Sequence, residues 1–254
     1  MGEGVPLTSF EISHGTCGAC EARLEAGEHL APEYKAVLRF YRALRDAART
    51  GDVSSCALLV QDGHAAGYGI AEMLVGLLQP ALAEMGRFWE FGRVSVADEH
   101  RFTAWCERTL ALLPHARGPQ GPVDLLIFQA PGNRHDLGPR FACEVLRADG
   151  VRCEAVLPEL PLADMLAEVR KHEPRWVGWS CALPEMVESC RVIASELRAA
   201  GFRGGVMVSG QAIRRSPDAW VNGELSFCTT VEGAKTLIRG VSRQGERNPK
   251  EAPS

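Results

Sequence analysis

The 254-residue sequence predicts an α/β protein in two parts, an N-terminal helical bundle followed by a doubly wound, five-stranded parallel sheet. Three observations carry that reading. Apolar residues recur at helical spacing through the first half. Residues 114–122 (PHARGPQGP) hold three prolines and two glycines, which sustain neither a helix nor a central strand. Beyond them, short apolar runs alternate with helical stretches, the pattern of a parallel sheet covered on both faces.

The bundle elements follow in order. Residues 32–50 place Tyr34, Val37, Leu38, Tyr41 and Leu44 on one helical face. Asp52 is a plausible cap for a short helix to Gln61, which Asp62-Gly63 is expected to break. From about Gly67 a longer helix carries Ile70, Leu74, Leu77, Leu78, Leu82 and Met85, and Pro80 inside it is expected to kink it or cost a hydrogen bond. It ends near Phe91-Gly92. Ser95, three residues before Asp98, opens a fourth helix to about Leu113 in the manner of a capping box.

In the second half, strands are expected over residues 123–129, 151–157, 175–180, 205–209 and 225–228. Helices are expected over 137–149, 162–172, 185–200 and 231–241, with a short one after Gly210. The pattern is flavodoxin-like. The expected organisation is a flexible arm (1–31), a bundle (32–113), a linker (114–122), a sheet domain (123–242) and a disordered polar tail (243–254).

Composition narrows the function. Twenty-eight Lys and Arg against 32 Asp and Glu give a net charge of -4, which argues against bulk-charge binding of nucleic acid. No run of 18 apolar residues and no secretory signal is visible, so a cytoplasmic protein without membrane contact is expected. The nine dispersed cysteines read as reduced thiols, several of them buried. Cys17 and Cys20 form the one close pair, and with only His29 nearby they fall short of a four-ligand zinc set.

In a doubly wound sheet, ligands bind beyond the carboxyl ends of the strands where strand order reverses, here between strands one and three. The loop after strand one is Ala130-Pro-Gly-Asn133-Arg134-His135-Asp136-Leu137-Gly138, and no phosphate-loop motif is present. It offers His135 as a metal-ligating imidazole, with Asn133 placed to accept a hydrogen bond from the second ring nitrogen. The neighbouring loops supply Ser180, Ala182 and Leu183, then Ser209, Gly210 and Gln211, then Thr229 and Thr230. Small residues around one imidazole suit a long, metal-bearing ligand that threads between strands.

These motifs resemble the cobalamin-binding domain of cobalamin-dependent methionine synthase and of corrinoid carrier proteins. The family loop Asp-x-His-x-x-Gly appears as Asn133-x-His135-x-x-Gly138, with a serine motif at Ser180–Leu183 and a Gly-Gly motif as Ser209-Gly210. The resemblance implies that His135 ligates the lower face of cobalt and displaces the cofactor's own nucleotide base. The base and its tail would then lie by Gly138, Ser180 and Gly210. Asn133 in place of an acid implies a less polarised imidazole, and Ser209 in place of glycine narrows the approach.

The first half resembles the helical cap over the upper face of cobalamin in the same family. Trp89, nine intervening residues, then Glu99-His100 resembles the Trp-x9-Glu-His signature of light-sensing cobalamin proteins of the CarH and LitR kind. Val96 lies between. Glu90 stands where some members carry a histidine able to bind cobalt after photolysis, leaving His100 as the nearest alternative donor. The resemblance implies a sensor, of light, using adenosylcobalamin or methylcobalamin; a corrinoid carrier for methyltransferases and a storage or trafficking protein are its rivals. CarH and LitR also carry a MerR-type DNA-binding domain. Residues 1–32 are too short for one and hold only Arg23 among Lys and Arg, so signalling through a protein partner, as AerR-type antirepressors do, or through the chain's own oligomer state is expected. Nothing specific marks a second chromophore such as a bilin.

Overall fold

The computed structural model describes residues 54–65, 67–113, 121–221 and 223–245. The expected arm, the first expected helix, the Cys17/Cys20 segment and most of the polar tail lie outside them. The chain divides into two compact units at His115/Ala116, within the Pro/Gly stretch.

In the first unit, α1 spans Ser54–Ala65 and runs through the expected break at Asp62-Gly63. Cys56, Val60 and Gly63 are all buried at spacings of four and three, so Gly63 sits on the packed face. A mid-helix glycine costs about 1 kcal/mol against alanine, too little to end a helix whose face is packed. The chain turns at Gly67 instead, where φ is 82° and the amide donates to the His64 carbonyl.

The next helix begins as a π-helical stretch, Glu72–Leu78, and continues as α2, Gln79–Glu90. Proline has no amide hydrogen to donate, and its ring crowds the carbonyl four residues back. Just before Pro80 the ladder widens, and the Gln79 amide donates to Leu74, five residues back. The widened turn also changes the buried face. Met73 and Val75 join Leu74 and Leu78 in the core, whereas Ile70, Leu82 and Met85 are only half-buried.

Helix α3, Val96–Leu112, opens with the expected capping box: Asp98 N–H donates to Ser95 Oγ (3.1 Å) and Ser95 N–H to Asp98 Oδ2 (3.0 Å). Phe102, Trp105, Cys106, Thr109 and Leu110 form its buried stripe. Trp105 Nε1 donates to Ser55 Oγ on α1 (3.2 Å).

The second unit is a five-stranded, all-parallel sheet of order β2-β1-β3-β4-β5, the flavodoxin-like order. Its elements are β1 (Leu125–Gln129), α4 (Leu137–Ala148), β2 (Cys153–Val156), α5 (Leu162–His172), β3 (Trp176–Ser180), α6 (Glu185–Ala199), β4 (Gly205–Ser209), α7 (Gln211–Arg215), β5 (Ser226–Phe227) and α8 (Val231–Gly245). Alternate residues feed two cores. Leu126, Phe128, Val177, Trp179, Val206 and Val208 pack with Met165, Val187 and Leu197 on one face. Leu125, Ile127, Trp176 and Met207 pack with Cys143, Leu146 and Ile238 on the other. Gly205 leaves room for the Trp176 indole, which any side chain there would strike. Helix α8 extends to Gly245, past the expected end at residue 241 and into the start of the expected tail.

The seven cysteines among the described residues are free and buried. Burial pushes the Cys228 thiol up to about 11, so it packs as a neutral small side chain. No helix among the described residues is long and apolar enough to cross a membrane.

At the amino-terminal edge of the sheet, buried Asp124 binds Arg152 through two hydrogen bonds of 2.9 Å and accepts the Arg152 main-chain N–H. Burial alone would raise its carboxyl, but these bonds outweigh it and hold the group below its ordinary value. The resulting stability is present above about pH 4 and is lost as pH falls through the folded-state value. Asp124→Asn is expected to cost about 2 kcal/mol at neutral pH and to flatten the acid limb below pH ~4. Urea unfolding as a function of pH measures both; an unchanged acid limb contradicts the assignment.

Candidate functional site

The ladder aligns Gln129 with Ser180 and Ser180 with Ser209. The carboxyl ends of β1, β3 and β4 therefore finish level, with the β1 and β3 loops departing side by side. The β1 loop turns at Gly132 (φ 76°), and the Asn133 amide donates to the Ala130 carbonyl (2.9 Å). Gly132 N–H donates to Glu159 Oε2 from the β2–α5 loop (2.9 Å), a tie across 27 residues that local sequence does not signal.

Asn133 is 3% exposed, whereas Arg134 and His135 are exposed. Its carboxamide is committed to main-chain groups. Nδ2 donates to the Ser180 carbonyl (2.7 Å), and Oδ1 accepts the His135 N–H (3.0 Å). This corrects the expectation that Asn133 accepts from the imidazole: the side chain fixes the backbone under His135 instead. Among the described residues, no hydrogen bond forms to the His135 ring nitrogens. The ring is thus an exposed donor on a fixed loop, as a metal-ligating imidazole requires. Asp136 pairs with Arg140 (2.6 Å), and Leu137 is buried at the start of α4.

Gly138 faces β3 closely: a Cβ there would lie 3.4 Å from Ser180 Oγ, so a larger side chain would fill the gap. Across β3, Gly210 has φ 106°, and any side chain on it would run into the Cys181 carbonyl and amide. Ser180, Ala182, Ser209 and Gln211 are half-buried around this opening, and Leu183 is 45% exposed. The Ser209 hydroxyl turns back to the Trp179 carbonyl (3.4 Å).

Two expected site residues sit apart. Thr229 and Thr230 follow β5, three strands from β1, a separation of about 14 Å in the sheet. Thr230 Oγ1 is also committed as the cap of α8, accepting from Gly233 N–H (3.0 Å).

In the first unit, Trp89 closes α2, and Val96, Glu99 and His100 lie in the opening turns of α3. Trp89 is 49% and Val96 53% exposed. Glu99 Oε1 accepts from Thr103 Oγ1 (2.9 Å), and its other oxygen lies 3.6 Å from His100 Nε2. Phe91, between the helices, is 73% exposed and adds an aromatic ring that the sequence motif did not include. Among the described residues, no group of three or more His, Cys, Asp or Glu is arranged to hold a metal.

Gly210→Ala is expected to lower stability by about 1–3 kcal/mol, because it combines a positive φ with an overpacked contact. Urea unfolding tests this; a change within error contradicts the close approach of Gly210 to Cys181.

Comparison with known proteins adds three findings. Residues 41–113 match the family model described as the B12 binding domain. Over 143 residues the chain is 29% identical to the HTH-type transcriptional repressor CarH of Myxococcus xanthus, covering 56% of this chain and 48% of that protein. The chain thus spans about half the length of this curated relative. The monomethylamine corrinoid protein of Methanosarcina barkeri superposes with a TM-score of 0.66 at 16% identity, covering 80% of this chain and 99% of that one. Residues 41–113 are thus similar to a B12 binding domain, and the chain shares the fold of a corrinoid protein.

Proposed function

We propose that the protein is a cobalamin-binding sensor, of light, that signals through a protein partner or its own oligomer state. The observation that carries cobalamin binding is His135: an exposed imidazole on a loop fixed at the strand-order reversal, beside the gap at Gly138 and Ser180. The residues fit the group. An imidazole nitrogen is a donor that would suit the cobalt of a corrin. The absence of a side chain at Gly138 leaves space for a nucleotide tail beside Ser180.

His135 would hold the lower face of the metal. Ser180, Ser209 and Gly210 would bound the tail, and Trp89, Val96, Glu99 and His100 would face the upper group. When bound, adenosylcobalamin or methylcobalamin supplies a cobalt–carbon bond that light breaks. Trp89 is half-exposed in the first unit, and its repacking on loss of the alkyl group would alter the surface offered to a partner.

A corrinoid carrier is the rival, and a shared fold does not separate the two. The sensor is favoured by the Trp89, Glu99 and His100 set, because a carrier needs its upper face open to partner enzymes. The 29% identity with a transcriptional repressor over 143 residues supports a regulatory role.

The test is absorption spectroscopy of protein reconstituted with adenosylcobalamin, dark and illuminated, with size-exclusion chromatography alongside. A protein-ligated spectrum that changes on illumination, with altered elution alone or with a partner, is expected. A spectrum indifferent to light contradicts the sensor. His135→Ala is expected to abolish lower-face ligation by the protein; unaltered cobalt coordination contradicts the site.

A further inference from the structure

Asn133 stands where the resembling family carries an acid, and its surroundings in this fold do not suit one. Its carboxamide is 3% exposed and uses its donor and its acceptor at once: Nδ2 to the Ser180 carbonyl at the end of β3, Oδ1 from the His135 N–H. A carboxylate has no hydrogen to donate. An aspartate would set an oxygen against the Ser180 carbonyl at the 2.7 Å now spanned by the hydrogen bond, two acceptors with no proton between them in a buried place. An alanine would leave the Ser180 carbonyl and the His135 amide both without this partner.

We propose that Asn133 is the positioning residue for His135, acting on its main chain rather than its ring, and that an amide is required at this position. The side chain joins the loop that carries the imidazole to the strand on the opposite side of the crevice, so the two walls hold a set spacing before any cofactor enters. The Gly132–Glu159 bond secures the same loop from the β2 side. The His135 ring is then oriented by its backbone and by what it ligates, with no carboxylate behind it at residue 133. This rests on the cobalamin reading above for the ligand, but not for the brace itself.

The test compares the full-length wild type with Asn133→Asp and Asn133→Ala in two measurements. The first, amide hydrogen exchange of the cofactor-free protein, reads the brace directly. Asn133→Ala is expected to lose protection at the His135 amide by tenfold or more and Asn133→Asp to lose less, because its carboxylate still accepts the His135 N–H, while Val206–Val208 in β4 keep theirs as a check on the fold. The second, dark absorption with adenosylcobalamin, reads coordination. The His135-ligated form is expected to weaken about ten- to a hundredfold in both variants, the usual effect of removing a partner that orients a metal ligand.

Unchanged His135 protection in Asn133→Ala overturns the brace. Wild-type coordination in Asn133→Asp overturns the requirement for an amide. If the wild type itself shows no His135-dependent spectrum, the cobalamin reading fails, and the exchange measurement still decides the brace. Loss of protection in β4 along with His135 would show that Asn133 holds the whole sheet rather than the loop, which also overturns the proposal.

Discussion

A parallel sheet buried on both faces leaves few places for chemistry, and in this chain the constraint is severe. The strands are apolar along nearly their whole length, with helices over either face, so polar function is confined to the loops at the carboxyl edge. Strand order reverses between β1 and β3. The two loops leaving that point diverge and open a crevice. What sets the width of the crevice is the Asn133 carboxamide, hydrogen-bonded to the end of β3 and to the amide of His135. The position of the imidazole and the closeness of Gly138 to Ser180 both depend on those two walls keeping their spacing.

The first unit meets its own constraint through the backbone. Pro80 sits in the middle of a helix whose core residues are needed, and the chain accommodates it with a π-helical stretch rather than a break. The stretch moves Met73 and Val75 into the core. The packed stripe of α3 and the Trp105–Ser55 bond then hold that core, while Trp89, Phe91 and Val96 stay about half exposed or more. Large apolar side chains left half-exposed at one helix junction add little to the stability of the unit, which makes them available for a ligand or partner.

The regular elements were largely legible in the sequence because periodicity and punctuation are local. The runs over 205–209 and 162–172 coincide with β4 and α5, and Ser95-Asp98 identified the start of α3. Misread details arose where distant contacts outweigh local preference. Gly63 looks like a helix breaker but is buried on the packed face of α1. His135 stood out as the imidazole of the β1 loop, and Gly138 through the resemblance of that loop to a family motif, but the partners of Asn133 could not be picked out. Ser180 lies 47 residues away, and only the fold brings its carbonyl within reach. Glu159 was invisible for the same reason. Thr230 also caps α8, a role that becomes visible only once the start of that helix is in place.

Ligation of cobalt by His135 is the claim on which the functional account turns, and electron paramagnetic resonance of the cobalt(II) cofactor bound to protein labelled with 15N-histidine tests it most directly. A nitrogen on the lower face splits the cobalt signal threefold if it is 14N and twofold if it is 15N. The account expects the splitting to change from threefold to twofold on labelling. Threefold splitting that persists in the labelled protein would mean that the cofactor's own base remains bound, and would contradict it.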